Sequence, residues 1–137
     1  MNRPLAVKII TAILLAGMLL GCSSATSEET PAPDVPGLVE LDSFLTNVSD
    51  TAGDRYCKLT VKLVVSPKEM VAEIGEDPLL KARIHDEVLT LLSAKSFEDV
   101  NNPAGREAFR EEIRAKLGEV ISKGEVQQVL FSEFIVQ

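Results

Sequence analysis

The stretch "YCKLTVKLVV", Tyr56–Val65, alternates apolar and polar side chains over most of its length. Every second position is apolar, namely Cys57, Leu59, Val61, Leu63 and Val65. The residues that alternate with them are Tyr56, Lys58, Thr60 and Lys62, and the alternation ends at the apolar Val64. A period of two with one apolar face is typical of a half-buried β-strand. The stretch therefore predicts a strand whose apolar face covers a core.

The residues before this strand predict its partner in a hairpin. The run "LVELDSFLTNV", Leu38–Val48, has the mixed alternation of a strand. The cluster "SDTAGD", Ser49–Asp54, follows it, and such residues favour turns because they tolerate positive φ or bond to their own backbone. Two strands joined in this way favour antiparallel pairing.

The residues after the strand predict two helices. The sequence "SPKE", residues 66–69, matches a capping box with proline at the first helical position, so we expect a short helix through Ile74. Asp77 with the proline after it matches a second helix start. Apolar residues then recur at helical spacing, which predicts a helix from about Pro78 to Ala94.

A third helix is predicted to begin at Asn102 and Pro103. Its apolar stripe consists of Phe109, Ile113, Leu117, Val120 and Ile121. Its other face is charged, and the spacing predicts surface ion pairs between Glu107 and Arg110 and between Glu112 and Lys116.

The chain ends in "VQQVLFSEFIVQ", Val126–Gln137, whose β-branched and aromatic residues predict a last strand. The order of elements is then two strands, three helices and one strand. This order predicts an α+β domain, in which a small antiparallel-type sheet, the N-terminal hairpin plus the C-terminal strand, packs against about three helices.

The first residues have the pattern of an export signal. Arg3 and Lys8 give a basic start, and residues 9–21 are apolar except for one threonine. The segment ends in "LLGC", residues 19–22, which resembles the lipobox of bacterial lipoproteins. That resemblance implies that residues 1–21 are removed as a signal peptide and that Cys22 carries lipid.

An uncleaved membrane anchor is the alternative, since Lys8 could snorkel to the interface and let a membrane helix begin at Leu5. Fewer than the ~20 apolar residues that span a bilayer are present, so this interpretation is the weaker one. Both place the rest of the chain outside the cytoplasm. Residues 22–37, rich in Ser, Thr, Pro and Glu, predict a disordered tether before a domain at 38–137.

The charge of the chain excludes some partners. The formal net charge is −7, and loss of residues 1–21 would remove two cations and leave −9. An acidic chain disfavours nucleic acid and anionic lipid, which are bound through Lys and Arg. The two cysteines offer no intramolecular disulfide if Cys22 is lipidated.

Residues that could carry catalysis have simpler interpretations. His85, the only histidine, lies among charged residues of the second helix, which favours a solvated position. Cys57 lies on the apolar face of the strand, where a free thiol behaves as a small hydrophobe. Glu107, Glu111 and Glu112 alternate with basic residues, which favours a salt-linked helix face over a metal or acid–base cluster. The sequence shows no zinc spacing, phosphate loop or serine elbow, so it predicts a binding or assembly protein with no cofactor, and not an enzyme.

Three ordered segments carry a resemblance to a known family. They are "LDSFLTNVSDTAGDRYCKLTVKLVV" (41–65), "LLSAKSFEDVNNPAGREAFREEIRAKL" (91–117) and "VQQVLFSEFIVQ" (126–137). They resemble the periplasmic domain of the flagellar basal-body-associated protein FliL. The "LLSAKSFED" stretch, the Pro-Ala-Gly before the charged helix and the "FSEFIVQ" ending are its most specific parts.

The resemblance implies a membrane-anchored, non-enzymatic component of the flagellar motor. Such proteins associate with the torque-generating stator and support rotation, swimming or swarming, and the implied fold is similar to the ring-forming domains of stomatin and prohibitin. The family offers no catalytic, cofactor or metal residues, and a homo-oligomeric ring is expected.

The N-terminus departs from the family pattern, whose members keep an uncleaved transmembrane helix. A lipid on Cys22 would hold the domain to one leaflet, so contacts with the stator would be periplasmic. The inner membrane at the basal body is the expected location, with the outer membrane as the alternative. The rival hypothesis is an envelope lipoprotein adaptor that uses the same domain outside the motor.

Overall fold

The computed structural model describes residues 35–137, in which three strands and four helices follow one another. In chain order they are β1 (Gly37–Val48), β2 (Arg55–Ser66), α1 (Met70–Glu76), α2 (Pro78–Ser93), α3 (Phe97–Val100), α4 (Pro103–Val120) and β3 (Glu125–Val136). The predicted α+β class is therefore confirmed.

The three strands form one antiparallel sheet in the order β1-β2-β3. Strand β2 is central: Leu59 lies opposite Phe44 of β1 and opposite Phe134 of β3. Backbone bonds between Tyr56 and Gln137, of 2.8 and 2.9 Å, extend the second pairing to the last residue of the chain. The predicted hairpin and the predicted C-terminal strand are both confirmed.

The core lies between one face of the sheet and the helices. The five alternating apolar residues of β2, Cys57, Leu59, Val61, Leu63 and Val65, are all fully buried. The buried residues of α2 are Ile84, Val88 and Leu92, and those of α4 are Phe109, Ile113 and Leu117. The helical stripes seen in the sequence thus form the second wall of the core.

The longer helices begin where local sequence predicts. The Asp77 side chain accepts bonds from the Leu79 and Leu80 amides at 2.9 and 3.0 Å. Asn102 accepts a bond from the Gly105 amide at 2.7 Å. These acceptors satisfy amides that have no partner inside the first helical turn.

The predicted capping box at residues 66–69 is wrong. Ser66 is the last residue of β2 and lies opposite Glu125 in the ladder with β3. The short helix does exist, but it begins at Met70 and its N-cap, Glu69, makes no side-chain capping bond. Residues 67–69 form a turn between the strand and the helix, in which the Met70 amide donates to the Pro67 carbonyl at 3.0 Å, so the helix begins three residues after Pro67, its predicted first position.

Residues 35–137 contain four helices, where the sequence predicts about three. Residues 97–100 form the single turn α3, which lies between the second and third predicted helices. A capping box holds this turn, because Ser96 and Asp99 each accept a bond from the other's backbone amide, at 3.2 and 2.9 Å. A four-residue turn is too short to show helical periodicity, so only its cap marks it in the sequence.

One of the two predicted surface ion pairs is also wrong. Glu107 pairs with Arg110 as expected. Glu112 instead pairs with Lys95, and Lys116 pairs with Glu119 at 2.8 Å. The position of Lys95 after α2 depends on how α2 packs beside α4, which helix spacing does not reveal.

The predictions for the N-terminus concern residues outside the described range, namely the signal peptide at 1–21, lipidation at Cys22 and most of the tether at 22–37. Within residues 35–137, no helix combines the length and hydrophobicity needed to cross a membrane.

Candidate interaction surface

Cys57 is buried in the core, as the sequence predicts. It lies on the inner face of β2, and burial raises the pKa of its thiol to about 11, although the charge of Arg106 acts in the opposite direction. A nucleophilic cysteine requires a lowered pKa. The position therefore suits a packed side chain and not a catalytic one.

His85 is less solvated than its charged neighbours in the sequence indicate. Its ring is half-buried and stacks on the buried Phe44 ring of β1, with the centroids 4.5 Å apart. The prediction of a solvated position is therefore wrong, because α2 lies against β1 and turns His85 toward the sheet. The contact between His85 and Phe44 therefore packs α2 against β1.

The glutamates of α4 form the salt-linked face that the sequence predicts. Glu111 pairs with Arg114 at 2.9 Å, and Glu107 and Glu112 pair with the cations named above. In the part of the chain that the structure describes, no group of three or more acidic, histidine or cysteine side chains could hold a metal ion.

Two arginines of α4 lie over aromatic rings of β3. The Arg106 guanidinium lies 4.5 Å from the centre of the Phe134 ring, and Arg110 lies 4.9 Å from Phe131. Arg106 also donates a 2.8 Å bond from Nε to the Val100 carbonyl. We call these residues the arginine clasp. The sequence places both arginines on a solvated face. Residues three apart on a regular strand point to opposite faces, and Phe131 and Phe134 share a face because the register shifts between them, so spacing in the sequence gives no signal for the clasp.

A shallow groove lies between β1 and α2. Its volume is about 430 Å³, and it is lined by Leu41, Asp42, Pro78, Lys81, Ala82, His85, Asp86 and Leu89. Lys81 lies 3.9 Å from Asp42 on its rim. Four of its eight lining residues are apolar and four are ionisable, and the one histidine among them stacks on Phe44.

The sheet face away from the helices is a second candidate surface. We call it the open face, and define it by five rows across β1, β2 and β3. The rows are Asn47-Tyr56-Gln137, Leu45-Lys58-Ile135, Ser43-Thr60-Glu133, Glu40-Lys62-Leu130 and Leu38-Val64-Gln128. Five large apolar side chains on it are exposed: Leu38, Leu45, Tyr56, Leu130 and Ile135.

The charges of the open face are balanced within it. Lys58 pairs with Glu133 at 3.0 Å, and Lys62 pairs with Glu40 at 3.4 Å. At its centre the hydroxyls of Ser43 and Thr60 are 2.8 Å apart. The sequence predicts that this face is exposed, but the strand order is needed to see that its apolar residues form one surface.

Comparison with known proteins gives two findings. A family model described as "Flagellar basal body-associated protein FliL" matches residues 38–137. The chain is also similar to "Flagellar protein FliL" of Aquifex aeolicus (strain VF5), with 26% identity over 107 residues that cover 77% of the chain and 64% of the relative. "Flagellar protein FliL" of Bacillus subtilis (strain 168) is 24% identical over 124 residues, which cover 89% of the chain and 84% of the relative.

Proposed function

Since the chain belongs to the FliL family of flagellar basal-body-associated proteins, we propose that it associates with the motor stator and supports flagellar rotation, swimming or swarming motility, and chemotaxis. The family consists of flagellar accessory proteins and not of enzymes. The observation that carries the proposal is the match over residues 38–137, which spans nearly all of the sheet and every helix described.

The side chains support a role in assembly. The buried Cys57 thiol has a raised pKa, and the acidic residues of α4 are paired with cations. The exposed apolar residues lie mostly on the open face, where a partner could bind. These features suit a protein that works by contact.

Attachment to the membrane is the second part of the proposal. The "LLGC" pattern at residues 19–22 supports lipid on Cys22, and the polar residues up to 37 would then be a tether. The domain would lie in the periplasm, most simply at the inner membrane around the basal body. The proposed stator contact and self-association into a ring, with a fold like that of stomatin, follow from the family resemblance.

Swimming speed in media of rising viscosity tests the proposal. We compare wild type, a deletion strain, and the deletion complemented with wild type or with Cys22→Ser. We expect the deletion to lose speed disproportionately as the load rises, with rescue by the wild-type gene and not by the Cys22→Ser gene. Equal speeds in all strains at every viscosity would overturn the motor role.

An envelope adaptor outside the motor is the second candidate, and the lipobox-like "LLGC" pattern favours it. The two hypotheses differ in the proteins that accompany the chain. Purification of the full chain from membranes with stator and basal-body proteins supports the motor role. Recovery with other envelope proteins and without motor parts supports the adaptor.

A further inference from the structure

We propose that the outer edge of β1, the side that faces away from β2, binds an extended and basic segment of another protein as a fourth strand of the sheet. The inference goes beyond the motor role, because it holds for a partner in the motor or elsewhere in the envelope. It rests on the backbone of β1 and on the groove beside it.

Strand β1 lies at an edge of the sheet, and such a strand presents backbone groups that another chain can pair with. At one end of this edge, residues 95–97 already lie beside it. The Ser49 amide donates to the Lys95 carbonyl at 3.4 Å, and the Ser49 carbonyl accepts a 2.8 Å bond from the Phe97 amide. This parallel bridge covers only the end of the edge and shows that the edge can hold a fourth strand.

The direction of the backbone groups identifies the part of the edge that is open. Backbone groups of successive residues point to alternate sides of a strand, so Ser43, Leu45 and Asn47 share the outward direction of the bridge at Ser49. Tyr56 lies opposite Asn47 and supports this direction, because its backbone bonds run away from β1 to the last residue of the chain. No described residue bonds to the outward backbone groups of Ser43 or Leu45.

The groove between β1 and α2 lies beside this open part of the edge. A second hollow of about 200 Å³ continues it toward α1, and Leu41 and Lys81 line both. In a fourth strand, the residue opposite Phe44 points to the helix side, as the buried Phe44 does. Its side chain would lie over the groove near His85 and Leu89, so an apolar residue fits this position.

The charges beside the edge favour a basic segment. Asp86 lines the groove and forms no ion pair with any other residue in 35–137. Asp42 is 74% exposed and lies 3.9 Å from Lys81, so this pair is a loose one. Residues 35–137 carry 12 basic and 18 acidic side chains, a net charge of −6. A lysine or arginine on the helix side of the added strand could therefore pair with Asp86 without displacing an existing partner.

The same charges disfavour two other occupants. Residues 23–34 of this chain include three acidic residues, no basic residue and two prolines, which lack the amide that a strand donates. The β1 edge of a second copy would bring Asp42 and Asp86 of both chains together, which like charges oppose. A basic segment of another protein, without proline at the pairing positions, fits the edge best.

Binding of a synthetic peptide to the full chain, purified in detergent, tests the proposal. The probe has the repeat Thr-Val-Thr-Lys, which places valine and lysine on one face of a strand and threonine on the other. We expect the probe to bind and to slow hydrogen exchange at the amides of Ser43 and Leu45. We expect a control with the repeat Thr-Val-Thr-Glu not to bind.

Two N-methylated probes show whether the peptide binds as a strand. One carries methyl groups on the threonine amides, and the other on the valine and lysine amides. Because an added strand bonds through one of its edges, we expect one methylated probe to lose binding and the other to keep it. Failure of the unmodified probe to bind, equal binding of the acidic control, or equal behaviour of the two methylated probes would overturn the proposal. Protection of these amides that grows with protein concentration, without peptide, would identify a second copy as the occupant and would also overturn it.

Substitutions in the protein test the same contact. Leu45→Pro removes an outward amide and no ladder bond to β2, whereas Leu45→Thr keeps the amide. We expect the Kd of the Thr-Val-Thr-Lys probe to be about tenfold higher in Leu45→Pro than in Leu45→Thr, as loss of one hydrogen bond implies.

A second pair of variants does not depend on how well proline is tolerated. Asp86 and Asp54 are both exposed, but only Asp86 lines the groove. We expect Asp86→Lys to weaken binding of the probe and Asp54→Lys to leave it unchanged. Equal affinities of these two variants would contradict the contact. The readout is peptide binding and not swimming, so failure here is distinguishable from failure of the motor role.

Discussion

Gly105 and Gly118 both lie in α4, but a methyl group at each would have different surroundings. At Gly105 it would collide with the backbone carbonyl of Asp99, the third residue of α3. At Gly118 it would meet open space. The Pro-Ala-Gly of residues 103–105 therefore has a physical basis, since α3 and α4 approach each other too closely for any side chain there.

We expect Gly105→Ala to lower the free energy of unfolding by about 1–3 kcal/mol, because a backbone carbonyl must move to make room. Gly118→Ala is the matched control in the same helix, and we expect it to raise the free energy of unfolding by about 0.5–1 kcal/mol. Urea unfolding of the two variants measures both values. Stabilisation by Gly105→Ala would show that α3 can move away without cost.

Cys57 should be chemically inert in the folded protein. Its thiol is fully buried and its pKa is raised to about 11, so the reactive thiolate is scarce and inaccessible at neutral pH. In a Cys22→Ser chain, where Cys57 is the only thiol, we expect maleimide labelling in urea and none under native conditions. Rapid labelling of the native chain would contradict the burial of β2.

The arginine clasp joins α4 to β3 through charged groups. Arg106 both stacks on Phe134 of β3 and bonds to Val100 of α3, so it links α4 to two neighbours. A lysine keeps the charge but has neither a planar face nor a fixed Nε donor. We expect Arg106→Lys to lower the free energy of unfolding by about 1–2 kcal/mol.

Arg114→Lys is the control for this prediction. Arg114 lies in the same helix, pairs with Glu111 and is 40% exposed, so we expect a change within about 0.5 kcal/mol. Equal effects of the two substitutions in thermal unfolding would show that the clasp adds nothing beyond an ordinary surface pair.

The elements that the sequence predicts correctly are those with local signals. Strand β2 shows its period from Tyr56 to Leu63, and α2 and α4 begin directly after Asp77 and Asn102, which cap their first turns. The predictions from sequence are wrong where residues far apart in the chain determine the local structure or the ion pair. Ser66 pairs with Glu125 of β3 at the end of β2 and does not cap α1, and Lys95 meets Glu112 only after α2 and α4 pack.

The candidate surface depends on distant residues in the same way. Leu45, Lys58 and Ile135 are far apart in the chain and form one row only through the strand order. The arginine clasp likewise requires the packing of α4 on β3. Alternation could therefore predict that these side chains are exposed, but not which of them are neighbours.

The stability of the whole domain should depend on acid through two carboxylates at one end. Asp50 accepts a 2.8 Å bond from Arg55, which is the main reason that its pKa is lowered, and its side chain is only 12% exposed. The pKa of Asp99 is lowered mainly by the side-chain bond with Ser96. The two sites are neighbours because Ser49 and Ser96 form a backbone bridge that joins the β1–β2 turn to the start of α3.

The sign of the effect follows from the direction of these shifts. Both carboxyls hold protons less tightly in the folded state than in the unfolded chain, so their contribution to stability is complete above about pH 4 and is lost as the pH falls through the folded pKa values. We expect the double variant Asp50→Asn, Asp99→Asn to unfold at lower urea concentration than wild type at pH 7. Below pH 4 the difference should shrink, because acid neutralises the same two groups in wild type. Urea midpoints of the two proteins, measured from pH 7 to pH 2, provide the comparison. If the two curves stay parallel over this range, Asp50 and Asp99 do not account for the loss of stability in acid.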